Sequence, residues 1–334
     1  MKSILNSHIF KLTALTAAMV IILSLMKLFG VAGLVSTGFI TLTTTPAIRW
    51  LSFDVPYGIL TAALGYDIDS QQSNYPIDWI SLLAYTAARG YGNFDNNSMG
   101  HMQSAVARIQ DGEDINDIAD GLNKFDYFMR AYGAVLSGFV GMYEIITDEG
   151  AKRQYGLRVF SPIPKNFYYE HFDDFGNPRD YGYRRRHLGH DLFGEIGIPI
   201  IAIEDGIIEA LGWNQYGGWR IGIRSLDNRR YFYYAHLRRD RPFANGLEIG
   251  MRVNAGDVIG FLGRSGYSTR ENVDNISVPH LHLGLQIIFE GNEHEIWVDI
   301  YNLVRLLNKN RMPVYRDEDG EYQRSLNINN FPDY

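Results

Sequence analysis

Five residues in three short segments combine the side chains and spacings from which a catalytic zinc site is built: His187 and Asp191 in H-L-G-H-D, His236 in Y-Y-A-H-L, and His280 and His282 in H-L-H-L-G. Two imidazoles and one carboxylate are a common catalytic zinc set, with a fourth position left for water. Four of the chain's nine histidines are among these five residues, a concentration that chance does not supply. Cysteine is absent, which removes disulfides, thiolate zinc sites and cysteine nucleophiles and leaves His, Asp and Glu as the available ligands. Any one motif is weak evidence, since H-x-H arises often on strands. The three together, in this order, carry the reading.

The surrounding elements must bring the motifs together. In H-L-H-L-G-L-Q-I, side chains alternate between faces, so His280, His282, Gly284 and Gln286 share one face and Leu281, Leu283, Leu285 and Ile287 the other. The leucine face is core. Two imidazoles on the opposite face demand a metal or a solvent-open cleft, because unpaired buried polar groups are costly. Gly189 allows the backbone to turn so that His187 and Asp191 converge on one point. Around these motifs lie short β-rich runs, I-P-I-I-A-I, W-R-I-G-I-R, Y-F-Y-Y-A-H-L and V-I-G-F-L among them, with Leu226-Asp227-Asn228 as a hairpin turn. They predict a mainly antiparallel β domain over residues 150–290. Residues 291–334 add one amphipathic stretch (Ile300, Leu303, Val304, Leu307) that packs on the sheet, then a polar, mobile tail.

Upstream the periodicity changes. Apolar residues recur at three- and four-residue steps, most clearly Phe125, Phe128, Tyr132, Val135, Phe139, Met142 and Ile146, which predicts one long helix within a small α-helical domain over residues 75–149. No Glu precedes Glu113, and Asp114, Asp117 and Asp120 lie in a polar segment, so a glycosidase carboxyl is not evident. This domain reads as a spacer, or as a docking module for a protein partner. Residues 45–74 read as a juxtamembrane connector.

In residues 1–44, Lys2 and Lys11 precede an apolar run from Leu12 to Met26. That run is shorter than the ~20 residues needed to cross a bilayer. The span therefore continues past Lys27, whose long stem can snorkel. The reading is an N-terminal transmembrane segment, anchored in the cell membrane with the C-terminal domain outside. A cleaved signal peptide, giving a secreted protein, is the alternative. A net charge of -7 supplies no basic footprint and argues against nucleic acid as a partner.

Taken together, H-x-G-x-D (His187, Gly189, Asp191), the G-x-P-I-x-A run (Gly197, Pro199, Ile200, Ala202), Y-A-H-L at His236, V-N-A-G-D-V-I-G before G-R-S-G-Y-S-T, and the closing H-L-H resemble the lysostaphin/LytM-type zinc endopeptidases that cut peptidoglycan. The likeness covers about residues 180–290. It implies a LytM-like fold, an open and barrel-like sheet with a lipoyl-type hairpin. It implies Zn2+ as cofactor, with His187, Asp191 and His282 as ligands and His236 and His280 as unligated catalytic residues. Peptidoglycan stem or cross-bridge peptides would be the substrate, with zinc-activated water attacking the scissile carbonyl. One of the two histidines would be the general base and the other the oxyanion or acid residue; which is which stays open.

The remaining histidines and arginines are read from their neighbours. His190, flanked by Leu188 and Leu192, reads as turned away from the site, and His8, His101, His171 and His294 as surface residues. Arg184, Arg185 and Arg186 read as a solvated run or as the lining of the cleft mouth, where they would meet substrate carboxylates. One departure from the family is R-E-N-V-D-N-I-S-V between Thr269 and Pro279, which predicts an inserted loop beside the site. Two other functions compete. A catalytically silent scaffold or wall-binding module has no physical need for all five polar residues. A lipoyl-type carrier needs a lysine at a hairpin tip, and none occurs between Lys165 and Lys309.

Overall fold

The His280–Ile287 strand has the two-sided pattern that its alternation predicts. Leu281, Leu283, Leu285 and Ile287 are fully buried on one face, while His282 and Gln286 on the other stay partly open. The structure is a computed structural model that describes residues 50–51, 53–147, 149–180, 184–289 and 296–331. In it this strand is central to a nine-stranded sheet. One edge pairs antiparallel with Arg230–Ala235, and the sheet continues through Gly218–Ser225 and Gly206–Asn214 to Arg252–Val253. The other edge is shared: residues 280–283 pair with His190–Phe193, and residues 286–287 with Ile296–Val298. Trp50–Leu51 adds a parallel pairing at the margin. The described chain is thus mainly antiparallel β with a few helices.

Register assembles the site. His282 stands opposite Asp191 on one neighbouring strand and opposite Ala235, the residue before His236, on the other. A slip of one residue would turn the imidazoles into the core and the leucines into the cleft. Burial holds the register: Ile208, Ile221, Ile223, Phe232 and Tyr234 join the leucine face in one core. Each fully buried aliphatic side chain contributes roughly 1.5–3 kcal/mol. The Tyr301–Leu307 helix packs on this core through Leu303, Val304, Leu306 and Leu307.

Helices occupy Tyr57–Ser70, Trp79–Arg89, Ser98–Gln110, Ile115–Ile118 and Phe125–Leu136. The first lies in the stretch read as a connector, and its buried Asp67 ties it to the second helix and to the strand that carries Tyr155. Asp67 accepts the Trp79 N–H at 2.9 Å and the Tyr155 hydroxyl at 2.7 Å. Asp78 caps the Trp79–Arg89 helix by accepting the Ser81 N–H.

Two expectations are corrected. The helix expected to run from Phe125 to Ile146 stops at Leu136, and Val140–Thr147 is a strand paired with Gly150–Leu157. Ser137 leaves helical backbone, Gly138 takes φ +82°, and the β-branched Val140, Ile145, Ile146 and Thr147 prefer a pleated surface. The residues that would have prolonged the helical stripe, Met142 and Ile146, are exposed. The C-terminal stretch is ordered as well: Val314–Arg316 pairs with Tyr322–Arg324, and Asn327–Asn330 adds to Val140–Thr147. Apolar packing explains that docking, since Ile328 is buried with Phe160, Ala255 and Met312, and Val314 and Leu326 pack against them.

The anchor or signal segment expected over residues 1–44 lies outside the described residues. Among those described, no helix is long and apolar enough to cross a membrane.

Candidate active site

His187 follows the short Arg184–Arg186 strand, and Asp191 lies on His190–Phe193, directly beside the His280–Ile287 strand. Three ligand-type atoms meet there. His187 Nε2 is 3.0 Å from Asp191 Oδ1 and 2.9 Å from His282 Nδ1, and His282 Nδ1 is 3.0 Å from Asp191 Oδ1. Gly189 makes the meeting possible through room rather than through a left-handed turn. A Cβ there would lie 2.5 Å from His282 Cε1 and 2.8 Å from the Leu283 carbonyl oxygen.

The triangle fits zinc. Bonds of about 2.0–2.1 Å to a tetrahedral ion set ligand atoms roughly 3.3 Å apart, a few tenths of an ångström from what is seen, and two imidazoles with one carboxylate match its donor preference. The outer contacts fix each ligand. His187 Nδ1 lies 3.1 Å from both the carboxylate and the backbone carbonyl of Asp174, which aims Nε2 inward. Arg179 Nη2 donates to Asp191 Oδ2 at 2.9 Å and also to Asp174, leaving Oδ1 for the triangle. Such partners orient ligands and commonly matter 10–100-fold to metal affinity.

Electrostatics follow from burial and these contacts. Burial opposes charge on His187, yet Asp174 and Asp191 beside it raise its pKa to about 9. Burial likewise opposes charge on Asp191, but hydrogen bonds from His187 and His282 hold its carboxyl well below the usual range. Asp174 is lowered to about 2, the donors on His187 and His190 overcoming its own burial.

His280 and His236 flank the triangle without entering it. His280 Nδ1 is 2.8 Å from the Val278 carbonyl oxygen, and His236 Nδ1 is 3.0 Å from that of Ser265. A carbonyl only accepts, so both histidines carry their proton on Nδ1 and present Nε2 as a lone pair. His280 Nε2 lies 3.6 Å from Asp191 Oδ1, and the His236 and His280 ring centroids are 4.9 Å apart. His236 is held in the left-handed region at φ +62°, a conformation a histidine adopts at a cost. Its N–H donates to the Gly217 carbonyl at 2.7 Å, which helps to hold that backbone. Burial first, and the neighbouring His280 and His282 next, push the His236 pKa well below its ordinary value, so its ring rests neutral.

The same segment that builds this geometry has counterparts in known proteins. Residues 185–295 match the family model of peptidase family M23. Over that segment the chain is similar to M23 peptidases. An L-Ala–D-Glu endopeptidase of Bacillus subtilis is 41% identical over 136 residues, which is 41% of this chain and 39% of that protein. A glycyl-glycine endopeptidase of Staphylococcus capitis is 39% identical over 97 residues, 29% of this chain and 23% of that protein. The chain therefore spans less than two fifths of the length of these curated relatives. Among solved structures, a putative glycyl-glycine endopeptidase LytM from Ruminococcus gnavus has the same fold, with a TM-score of 0.52 at 24% identity over 77% of this chain and 89% of that one.

Two residues that hold the triangle in place lie before the matched segment. Asp174 and Arg179 sit in F-D-D-F-G-N-P-R-D, a turn-rich stretch with no periodicity to single them out. His190 is fully buried on the strand face opposite Asp191, with its Nε2 2.7 Å from His171 Nδ1 and its Nδ1 3.7 Å from Asp174 Oδ1. His171, expected on the surface, is half-buried between Tyr169, His190 and Tyr301, and burial lowers its pKa to about 4. His101 is half-buried, and His8 and His294 lie outside the described residues.

A cleft of about 470 Å³ opens beside the triangle, walled by Tyr216, Tyr233, Tyr267 and Trp297. Gly284 admits one wall, since a Cβ there would lie 2.4 Å from the Trp297 ring. The inserted loop turns away from this space. Asn272 accepts the Trp219 indole N–H and the Asp240 backbone N–H, both at 2.9 Å, and donates to the Asp240 carboxylate at 2.7 Å. Among the described residues lining the cleft, none comes from 268–278.

Proposed function

We propose that this chain is a zinc-dependent endopeptidase that hydrolyses peptide bonds in bacterial peptidoglycan. One observation carries the proposal: two imidazoles, each committed through Nδ1–H to a backbone carbonyl, flank the His187–Asp191–His282 triangle, with His280 Nε2 3.6 Å from Asp191 Oδ1 and the His236 ring centroid 5.7 Å from that of His282. A scaffold has no need of such proton acceptors beside a ligand set. The named activities of the relatives, alanyl–glutamyl and glycyl–glycyl bond cleavage, support the substrate class.

His187, Asp191 and His282 would hold the ion. Zinc bound there supplies a Lewis acid that polarises a carbonyl and brings the pKa of water towards 7. His280 Nε2, 3.6 Å from Asp191 Oδ1, takes the proton of the attacking water. The proton that His280 takes from water can pass to His236, whose ring centroid lies 4.9 Å away and where burial and the histidine neighbours oppose its retention, so it is given up readily. That suits His236 to protonate the leaving amine, a better match than holding a hydrogen bond to an oxyanion. Asp174 and Arg179 keep the ligands aimed, and the aromatic walls of the cleft position the peptide.

The full chain should release soluble fragments from purified peptidoglycan, lose that activity to a chelator and regain it on addition of zinc. Undiminished release in the presence of chelator would refute zinc dependence.

A further inference from the structure

His190 puts an imidazole where a strand facing the core has no use for one. Asp191 faces the cleft, so its neighbours His190 and Leu192 turn to the back of the same strand, and both are fully buried there. A buried imidazole is costly unless its ring nitrogens find partners. His190 Nε2 lies 2.7 Å from Nδ1 of His171, on the short strand that pairs with His190–Phe193. His190 Nδ1 faces Asp174 Oδ1 at 3.7 Å, and among the described residues neither of these buried atoms has a hydrogen bond to anything else. An ionised carboxylate only accepts, so His190 carries its proton on Nδ1, toward Asp174, and accepts at Nε2 from the His171 Nδ1–H.

Asp174 thus stands between two ring N–H groups. Its Oδ2 serves the cleft side, 3.1 Å from His187 Nδ1 and accepting from Arg179, while its Oδ1 points to His190. The last torsion of an aspartate is soft. Anchored through Oδ2 alone, the carboxylate swings about that bond; anchored at both oxygens, it keeps Oδ2 on His187. The backbone carbonyl of Asp174, also 3.1 Å from His187 Nδ1, selects the same tautomer but brings no negative charge. A carboxylate in that place both orients the imidazole and makes its far nitrogen a stronger metal ligand.

We propose that His190 is a positioning residue of the metal centre: from behind the strand, with its tautomer set by His171, it holds the Asp174 carboxylate against His187 and so raises the affinity of the His187–Asp191–His282 triangle for zinc. This role rests on the zinc-dependent reading above and deepens it. His190 does turn away from the cleft, and it acts there only through Asp174.

The test is the zinc dissociation constant of the full chain, measured by competition with a chelator of known affinity, with thermal melts of the metal-free protein alongside. His190→Leu fills the space without a donor and is expected to weaken zinc binding roughly 10–100-fold. Two amides separate the position of the donor from bulk. In His190→Asn the amide nitrogen falls near the place of Nδ1 and still serves Asp174, so affinity should stay within about threefold of the wild type. In His190→Gln the amide reaches toward His171 instead, and the loss should approach that of the Leu variant. Wild-type affinity in the Leu and Gln variants would overturn the role. So would equal affinities in Asn and Gln, or losses that follow the melting temperature rather than the donor. Where the Leu variant does not fold, the Asn and Gln pair decides alone. A wild-type chain that takes up no zinc would instead remove the zinc reading itself, whatever the variants do.

Discussion

Replacing His280 with Ala, or His236 with Asn, is expected to lower peptidoglycan hydrolysis by about 10²–10⁴-fold while zinc content stays at the wild-type level. Each histidine lies outside the triangle that would hold the metal, so its loss should remove a proton acceptor or donor and leave the three proposed ligands intact. Asn is chosen at 236 because the backbone there has φ +62°, and asparagine tolerates the left-handed region better than alanine. Zinc analysis and thermal melts on the same preparations separate a chemical effect from a folding one. A variant with near wild-type turnover would show that its histidine is a bystander.

The largest effect is expected from the ligands themselves. His282→Ala and Asp191→Ala should each emerge from desalting without zinc and without measurable hydrolysis, because either change leaves two ligand atoms of the three. The two variants should differ in stability. Asp191→Ala also deprives Arg179 of one of its two carboxylate partners and His187 of a charge that raises its pKa, whereas His282→Ala opens space on the cleft side of the sheet. Asp191→Ala is therefore the one expected to melt earlier. Full zinc retention in either variant, measured by elemental analysis, would contradict the assignment of the triangle.

The features legible in the residues and those that are not divide along physical lines. The Leu281–Ile287 face and the His282–Gln286 face are legible because a period of two is enforced wherever one side of a sheet is buried. Leu303, Val304 and Leu307 are legible for the same reason on a helix. The stretch from Phe125 to Ile146 misleads because its apolar spacing fits a helix, while a single Gly138 with a β-branched run after it redirects the chain. Gly189 stands out in the sequence for the wrong property: its lack of a side chain beside His282 matters, and backbone freedom does not. Asp174 and Arg179 leave no periodic or motif signal, since their role depends on a turn folding back over His187 and Asp191. The inserted loop shows its existence but not its direction, which Asn272 sets by bonding to Trp219 and Asp240.

The central claim, a zinc endopeptidase of peptidoglycan, is tested most directly by mass spectrometry of the soluble products released from purified peptidoglycan by the zinc-loaded full chain. The account predicts paired fragments, one ending in a new carboxyl and its counterpart in a new amine at each severed peptide bond, absent when His280→Ala replaces the wild type. Intact peptides, or fragments ending only at sugar bonds, would contradict it.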